Sequence, residues 1–413
     1  MSVKLPKTVK LKTYLATVTF LIVLLIAGVS YVSSNGTVTV TVTPKSLQET
    51  ASYVIFKEGS TYYAKNGTTG EIEFSGTDAA TVIQSAIDAA PLETTIVAKG
   101  DMHITSTINI SRRVSLIIDN LYIDSDVDGI LVGTTDSSTL NLDTTLVKIS
   151  GTAWFTDSYT HSIIKLQHVR SARVDVGRIF VTTGMATGDS TGIHLYADGA
   201  GTYLNSIKFQ EIGGIGTGIK LECTATSGGF VHPNWFYGGW IWACDTGIKL
   251  TTENTASDKG LSTNSFYHIE IDGATKMTTG IYNEGVDEKF WDIIFVDMGT
   301  QTRLNNTAGA TAKFIGGQIS GGTSYVVNNG TLICESVKFF VTENSGTATI
   351  TSGSTSVTVN HGLAGTPTIV TVTPSADLGD VWVDSITSTQ FTIHCDSAPS
   401  SATTVYWYAE YKP

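Results

Sequence analysis

Apolar and polar residues alternate in a short phrase, Thr-Gly-Ile-x-Leu, that returns with small changes through residues 192–317. The glycine of this phrase recurs at intervals of 26, 29 and 33 residues, at Gly192, Gly218, Gly247 and Gly280. A second phrase opens on an asparagine, at Asn205, Asn234 and Asn264. Two β-like phrases with one period predict a solenoid of strands, because each unit is too small to bury its apolar face alone.

Alternation within one phrase predicts which side chains face the core of the solenoid. Ile219 and Leu221 point inward and Lys220 points outward, and the glycine before them takes a turn that other residues resist. The asparagines have two interpretations. Either they stack as a ladder of hydrogen-bonded amides at the strand spacing, or each asparagine shapes its own turn.

The amino-terminal pattern predicts a membrane segment. An uncharged apolar run of about 19 residues, at 14–32, follows four lysines. We therefore expect a transmembrane or signal-anchor helix over residues 13–33, with residues 1–12 as a basic cytoplasmic segment. Retention of this helix as an anchor and its removal as a signal are both open. The Thr/Val-rich residues 34–52 follow, either as an extended stalk or as a strand donated to another sheet.

Residues 53–76 contain tight-turn signals and predict a small meander of hairpins. A helical pattern of apolar residues follows, in which Thr77 or Asp78 can cap the first turn and Pro91 ends the helix. A single helix at the head of a stack of strands is expected to cover the open end of the first coil.

The helical stretch resembles the amino-terminal part of the β-helix in the pectin-lyase-like superfamily. The resemblance extends to the strands after it, at residues 95–100, 104–108 and 114–118, and to the Gly-Ile-x-Leu repeats. The resemblance implies a right-handed parallel β-helix, which we place at residues 53–344. The superfamily includes pectate lyases, polygalacturonases and viral tailspikes, and its tailspike members imply a homotrimer as one assembly. Its fold hosts many chemistries, so the resemblance implies no single activity.

Short strands separated by Gly, Pro, Ser and Asn follow and predict a compact antiparallel β-sandwich at residues 345–413. The expected fold class is therefore all-β. It comprises a right-handed parallel β-helix with an amino-terminal cap helix, a small carboxy-terminal antiparallel β-sandwich, and an amino-terminal transmembrane or signal helix.

Composition favours an extracellular position for most of the chain. Charged residues make up only 15%, and the 41 glycines and many hydroxyl side chains suit stacked strands. A net charge of −12 without an internal basic run argues against nucleic acid as a partner. Cys223 and Cys244 could form a disulfide between neighbouring coils or stay as buried thiols, the commoner state when no motif is present.

Catalytic residues are only weakly indicated. The resemblance would require Asn-Thr-Asp, Asp-Asp, Gly-His-Gly and Arg-Ile-Lys motifs of a polygalacturonase-like hydrolase, and the sequence has none of them. Hydrolysis of a glycoside needs two carboxylates that face across a bond. A calcium-dependent lyase needs clustered aspartates and an arginine that abstracts a proton. The nearest candidate group is Asp175 with Arg170, Arg173 and Arg178.

Three aspartates, Asp124, Asp126 and Asp128, precede Gly129 at the spacing of the first half of a calcium loop. Thr135 stands where such a loop has its bidentate glutamate, so Ca²⁺ would be held weakly at best. The alternative interpretation is a solvated turn.

Aromatic residues give the stronger binding signal, because five of them crowd into residues 235–242. Alternation places Trp235 and Tyr237 on one outward face, with Phe236 inside and Tyr267 beside Tyr237 in the next coil. A flat ring beside acceptor side chains suits a sugar. The candidate ligand-binding residues are Trp235, Tyr237, Trp240, Tyr267, His268 and Asp272. The alternative is that individual tryptophans belong to the core.

These observations favour a surface protein of a microbe, archaeal in one interpretation, or of its virus. It would be anchored by a single membrane pass with its carboxy terminus outside, or secreted. Adhesion or glycan recognition is the first hypothesis, with glycans on a cell surface as the partner. A polysaccharide lyase or glycoside hydrolase on the same scaffold is the second hypothesis, and a structural component of an envelope or virion is the third.

Overall fold

A computed structural model describes residues 51–412 except 157, 183, 185–188, 227, 274–276 and 321–324, together with the backbone of residues 29–34 and 37–42. The elements in chain order are β1 Val29–Ser34, β2 Thr37–Val42, β3 Tyr53–Glu58, β4 Thr61–Asn66, β5 Ile72–Gly76, α1 Ala79–Ala89, β6 Thr94–Ile104, β7 Ile108–Ile110, β8 Val114–Ile123, β9 Ile130–Gly133, β10 Leu140–Asn141, β11 Leu146–Phe155, β12 Ser162–Gln167, β13 Val169–Arg170, β14 Arg173–Val181, β15 Thr191–Ala197, β16 Ser206–Gly213, β17 Thr217–Cys223, β18 Trp235–Trp242, β19 Thr246–Thr252, β20 Ser265–Asp272, β21 Thr279–Asn283, β22 Glu288–Trp291, β23 Ile294–Val296, β24 Thr302–Asn306, β25 Thr311–Ile315, β26 Val326–Asn328, β27 Thr331–Glu335, β28 Glu343–Ile350, β29 Ser356–Asn360, β30 Ile369–Pro374, β31 Val381–Asp384, β32 Gln390–Cys395 and β33 Thr403–Glu410.

Two long sheets form the main body. Sheet 1 contains β3 to β6, β8, β11, β14, β16, β18, β20, β22, β23, β25 and β27, and sheet 2 contains β7, β9, β12, β15, β17, β19, β21, β24 and β26. From β6 to β27 the chain passes repeatedly between the two sheets, whose strands pair in parallel with their counterparts in neighbouring coils. β10 and β13 form a separate parallel pair, and β22 and β23 both belong to sheet 1. This topology confirms the parallel β-helix, the fold of the pectin-lyase-like superfamily.

Inward side chains stack from coil to coil and form one continuous core. Ile219 and Leu221 are fully buried in it, as their alternation predicts. A column of four phenylalanines, Phe236, Phe266, Phe290 and Phe314, runs through the later coils with ring centroids 4.7, 5.1 and 4.9 Å apart. The rings lie nearly parallel because the register places each one over the next.

The repeated glycines serve a purpose different from the predicted turn. Gly192, Gly218, Gly247 and Gly280 lie inside strands β15, β17, β19 and β21. A Cβ atom on Gly192, Gly218 or Gly247 would come within 2.6 to 2.7 Å of the carbonyl oxygen of the next glycine in the column. Glycine is therefore required here because successive backbones lie in close contact. An unusual backbone conformation is not the reason.

The asparagine ladder is confirmed. Asn205 donates from Nδ2 to Oδ1 of Asn234 at 3.0 Å, and Asn234 donates to Oδ1 of Asn264 at 3.0 Å. In the next coil Glu288 takes the acceptor position, with Oε1 and Oε2 accepting from Nδ2 and the backbone N of Asn264 at 3.1 and 3.0 Å. All four side chains are fully buried, so the ladder satisfies polar groups that water cannot reach.

Both ends of the β-helix are covered. Asp78 caps α1 by accepting from Thr81 N, and the buried face of the helix joins the core. At the other end, two antiparallel three-stranded sheets, β28-β33-β30 and β29-β32-β31, enclose a second core as the predicted sandwich. Tyr411 packs against Phe340 of the last coil, with ring centroids 6.5 Å apart. These contacts protect the terminal coils from water.

The amino-terminal helix prediction is wrong for its last residues. Residues 29–33 belong to β1, which pairs antiparallel with β2. Apolar and polar residues alternate in this segment, and this pattern suits a strand that can pair with Thr37–Val42. Residues 13–28 of the predicted helix lie outside the described residues. In the described part of the chain, no helix has the length and hydropathy needed to cross a membrane.

The cysteines of neighbouring coils do not form a disulfide. Cys223 donates its thiol to the Gly229 carbonyl at 3.3 Å, and Cys244 donates to the Trp242 carbonyl at 3.3 Å. Both residues are buried.

The glycine column gives a stability prediction. Gly247→Ala should lower the free energy of unfolding by about 1–3 kcal/mol, since its Cβ would have to displace the Gly280 carbonyl. Gly199→Ala is the matched control, because no atom lies within 4 Å of its added Cβ, and it should change stability by less than about 0.5 kcal/mol. Urea unfolding measures both values, and equal effects would contradict the close-contact explanation.

The end of the asparagine ladder gives a prediction about pH. Burial raises the pKa of Glu288 well above its ordinary value. The folded chain therefore retains a proton that the unfolded chain releases above about pH 4.3, and stability is lost as the pH rises from there.

Glu288→Gln should remove this loss of stability at higher pH, because the glutamine side chain stays neutral. Its amide oxygen can accept hydrogen bonds from both donors of Asn264, as Asn234 Oδ1 already accepts from Asn205 N and Nδ2. The variant should raise the thermal midpoint at pH 8 and change it little at pH 4. The exposed Glu253→Gln is the control. A lower midpoint for Glu288→Gln at pH 8 would show that the charged carboxylate stabilises the ladder.

Candidate functional site

The outward face of sheet 1 presents a row of aromatic rings along the axis of the β-helix. Tyr237, Tyr267 and Trp291 occupy the same register position in β18, β20 and β22. Their ring centroids are 5.2 and 5.9 Å apart, with interplanar angles of 10° and 14°. Tyr237 is 42% exposed. We call this row, together with Trp235, Trp240 and Trp242, the aromatic face.

Strand β18 contributes four residues to the aromatic face because it bends halfway. Trp235 and Tyr237 precede the bend, and Trp240 and Trp242 follow it. Gly238 and Gly239 form the bend, where a Cβ would come within 1.9 Å of the His268 carbonyl oxygen or 2.4 Å of the Gln210 carbonyl oxygen. The indoles of Trp240 and Trp242 stack at 5.5 Å. The glycine pair therefore lets two aromatic pairs face the same side of the sheet.

Carboxylates flank Trp240 on both sides. Glu211 and Glu270 stand in register with it on the neighbouring strands. Glu211 accepts a 2.9 Å hydrogen bond from Trp242 Nε1 and lies 3.8 Å from Arg178 Nε. Glu270 is exposed. The site thus combines apolar ring faces with acceptor oxygens.

A second aromatic row crosses the earlier coils of sheet 1. His103, Tyr122, Trp154 and Phe180 share one register position, and their rings lie 4.5 to 6.2 Å from the next. Gly213 continues this position without a side chain, and Trp242 packs into the space against Phe180 at 6.0 Å. An open groove of about 330 Å³ lies here between Trp154, Phe180 and Trp242. The row leads directly into the aromatic face.

A wider groove, of about 490 Å³, lies where the later strands of sheet 1 bend. We call it the bend groove. His268 and Asp292 occupy the bends of successive coils with positive φ angles of 54° and 50°, and His268 Nδ1 lies 3.3 Å from Asp292 Oδ2. Glu270 and Lys338 also line this groove. Acidic, basic and imidazole groups are thus gathered beside Tyr267 and Trp291.

The predicted ligand-binding residues fall into two groups. Trp235, Tyr237, Trp240 and Tyr267 lie on the aromatic face, with Phe236 buried beneath them. His268 lines the bend groove. Asp272 stands in register with Trp242, but it is only 9% exposed and offers little surface to a ligand.

The predicted catalytic group is divided between two sheets. Arg173 and Asp175 both lie on β14, whereas Arg170 lies on β13, which pairs with β10 away from sheet 1. Asp175 pairs with Lys148 at 3.8 Å and stands in register with Lys208. Lysines, and no second carboxylate, are therefore its register neighbours.

The three aspartates of the predicted calcium loop have separate partners. Asp124 contacts His103 at 2.9 Å, Asp126 contacts Thr160 and His161, and Asp128 accepts from Ser162 N at 2.9 Å. Partial desolvation raises the pKa of Asp126, but hydrogen bonds from Thr160 and His161 outweigh it and lower the pKa to about 2. Within the described ranges, no group of three His, Cys, Asp or Glu residues is placed to hold a metal ion.

Sequence reasoning missed Trp291, Trp154 and Phe180. Trp291 follows Phe290 in a weaker form of the repeated phrase, so outward alternation in that phrase could have identified it. Trp154 and Phe180 lie in coils whose phrases differ from the repeat, and only the register shows that their rings meet.

No protein-family model matches the chain, and no curated protein matches it. Among solved structures, the chain is similar to the tailspike protein of Acinetobacter baumannii phage AM24, with 8% identity, coverage of 81% of this chain and 80% of that chain, and a TM-score of 0.40. It is also similar to a variant tailspike protein of E. coli bacteriophage HK620 in complex with a pentasaccharide, with 11% identity, coverage of 81% and 90%, and a TM-score of 0.28. The likeness concerns the fold alone.

Proposed function

We propose that this chain recognises an extended glycan that lies along the aromatic face of sheet 1. The observation that supports this function most strongly is the outward-facing row of Tyr237, Tyr267 and Trp291, whose rings repeat at 5.2 and 5.9 Å. Tyr237 is exposed, and Tyr267 and Trp291 are half-buried. Pyranose rings have apolar faces that stack on aromatic side chains, and their hydroxyl groups hydrogen-bond to acceptors at the ring edges. Glu211 and Glu270 supply such acceptors.

The direction of the row favours a polymer over a single sugar. One ring is added with each coil, so the row runs parallel to the axis of the β-helix. The earlier aromatic row, ending at Trp154 and Phe180, continues toward the opposite end of the helix. A chain of sugars could contact several coils at once, and each contact adds to the others without a deep pocket.

The setting of this recognition is the surface of a cell or virion, in adhesion. The low content of charged residues, 15%, and the hydroxyl-rich surface support an extracellular position. A groove open along one side of a rigid scaffold suits ligands that are themselves fixed to a surface.

Tyr237→Ala and Trp291→Ala should each weaken glycan binding about tenfold or more, because each removes one of the three stacking surfaces of the row. A glycan array identifies the ligand for the full chain, and calorimetry with that oligosaccharide measures the dissociation constants. Tyr406→Ala is the control, since Tyr406 is 54% exposed but lies on the sandwich. Unchanged affinity in both aromatic-face variants would contradict this site.

Cleavage of the bound glycan is the second candidate function, favoured by the bend groove. Glu270 and Asp292 line this groove, and Asp292 directly follows Trp291 in the chain. Two carboxylates beside one bound sugar can act as general acid and as base or nucleophile.

For this second function, Glu270→Gln and Asp292→Asn should each lower the rate of cleavage about 10²-fold or more. The measurement is the release of reducing ends, or of unsaturated products, from each polysaccharide that the chain binds. Glu253→Gln controls for the loss of a surface charge outside the groove. Binding without any cleavage by the wild-type chain would exclude cleavage of those polysaccharides and leave recognition intact.

A further inference from the structure

Three polar side chains on successive coils of sheet 2 form a relay away from the aromatic face. Ser162 lies on β12, His194 on β15 and Glu222 on β17. Ser162 Oγ is 3.2 Å from His194 Nδ1, and His194 Nε2 is 3.1 Å from Glu222 Oε2. The second contact is bent, so it is an electrostatic contact more than a linear hydrogen bond. A hydroxyl, an imidazole and a carboxylate are thereby arranged in the order of a nucleophile, a base and an orienting group.

The protonation states of Glu222 and His194 suit the roles of orienting group and base. Desolvation raises the pKa of Glu222, but contacts with His194 and Lys220 outweigh it and lower the pKa to about 2, so Glu222 is ionised. Burial, together with Lys220 and Lys165, lowers the pKa of His194 against the opposing effect of Glu222. A neutral imidazole beside a carboxylate keeps its proton on Nε2, which leaves Nδ1 free to accept the Ser162 proton.

Cationic side chains lie on both sides of the imidazole. Lys165, His194 and Lys220 occupy one register position on three neighbouring strands. Lys165 Nζ lies 4.5 Å from the centre of the Tyr196 ring and 3.9 Å from Asp128 Oδ2, and Lys220 Nζ lies 2.9 Å from Glu222 Oε1. The register thus places a cationic group on each side of the imidazole that contacts Ser162, and positive charge near a reacting carbonyl stabilises its oxyanion.

We propose that Ser162, His194 and Glu222 form a hydrolytic triad for small carboxylic esters. Ser162 Oγ adds to the ester carbonyl while its proton passes to His194 Nδ1, and Lys165 and Lys220 stabilise the oxyanion. The bond from the carbonyl carbon to the alcohol then breaks, and the imidazolium returns the proton to the leaving alcohol. Water, deprotonated by His194, releases the acid from the acyl-serine and restores the hydroxyl.

The burial of the relay sets the size of the ester. Ser162 is 5% exposed and His194 is 7% exposed, whereas the side chains of Lys165, Lys220 and Glu222 are 19 to 23% exposed. Because so little of Ser162 is exposed, the proposal is restricted to esters with small, acetyl-sized acyl groups. Because the relay lies on sheet 2, its activity is separable from glycan binding on sheet 1.

The test is covalent labelling of the full chain with a fluorophosphonate, located by peptide mass spectrometry. We expect one adduct per chain, on Ser162, and none in Ser162→Ala. Ser190→Ala is the matched control, because Ser190 is also buried but its Oγ accepts from Gly216 N and contacts no imidazole in the described structure. Its labelling should equal that of the wild type. No adduct on the wild type, or an adduct that persists in Ser162→Ala, would overturn the proposal.

Turnover of p-nitrophenyl acetate tests the roles of His194 and Glu222. His194→Gln should slow release of nitrophenolate about 10²-fold or more. The wild-type rate should rise with pH as the imidazole loses its proton, and Glu222→Gln should move this rise to lower pH. The titratable groups that face His194 are Lys165, Lys220, Glu222 and Tyr196. If Glu222→Gln slowed the reaction without shifting its pH profile, Glu222 would have only a structural role, and this result would contradict the triad.

Discussion

Parallel stacking of equivalent residues is the constraint on which the whole structure depends. Each coil lies one strand spacing, about 4.8 Å, from the next, so a residue at a given register position meets the same position above and below. Gly247 must be glycine because the Gly280 carbonyl occupies the place of its Cβ. Asn205, Asn234 and Asn264 can be buried because each amide satisfies its neighbour. These inward columns keep the register, while the outward residues differ from one coil to the next.

The same constraint organises the candidate site. A ring placed outward on one coil gains a neighbour if the next coil repeats it, which is how Tyr237, Tyr267 and Trp291 become one surface. Where the column lacks a side chain, at Gly213, a groove opens and Trp242 packs into part of it. On sheet 2 the register instead places Lys165, His194 and Lys220 in a row. One scaffold therefore carries two chemically different sites, one on each long sheet.

The sequence alone is sufficient to predict the structural features that repeat from coil to coil. The period of the glycine and asparagine phrases predicts the β-helix, and alternation within β18 predicts that Phe236 is buried while Tyr237 is exposed. It is not sufficient where contacts join residues from dissimilar phrases, as with Trp154 and Phe180, or Ser162 and His194. The helix predicted over residues 13–33 fails at residues 29–33, because hydropathy alone cannot detect that Thr37–Val42 offers a pairing partner. Asp272 is a predicted ligand-binding residue, and the structure buries it.

The central claim is that a glycan chain lies along the axis of the β-helix on the aromatic face. It is tested most directly by a crystal structure of the full chain with the oligosaccharide that scores highest on a glycan array. The account predicts successive sugar rings over Tyr237, Tyr267 and Trp291, with hydroxyl groups near Glu211 or Glu270. Sugar bound elsewhere, for example on the exposed tyrosines of the sandwich, with the aromatic face empty, would contradict it.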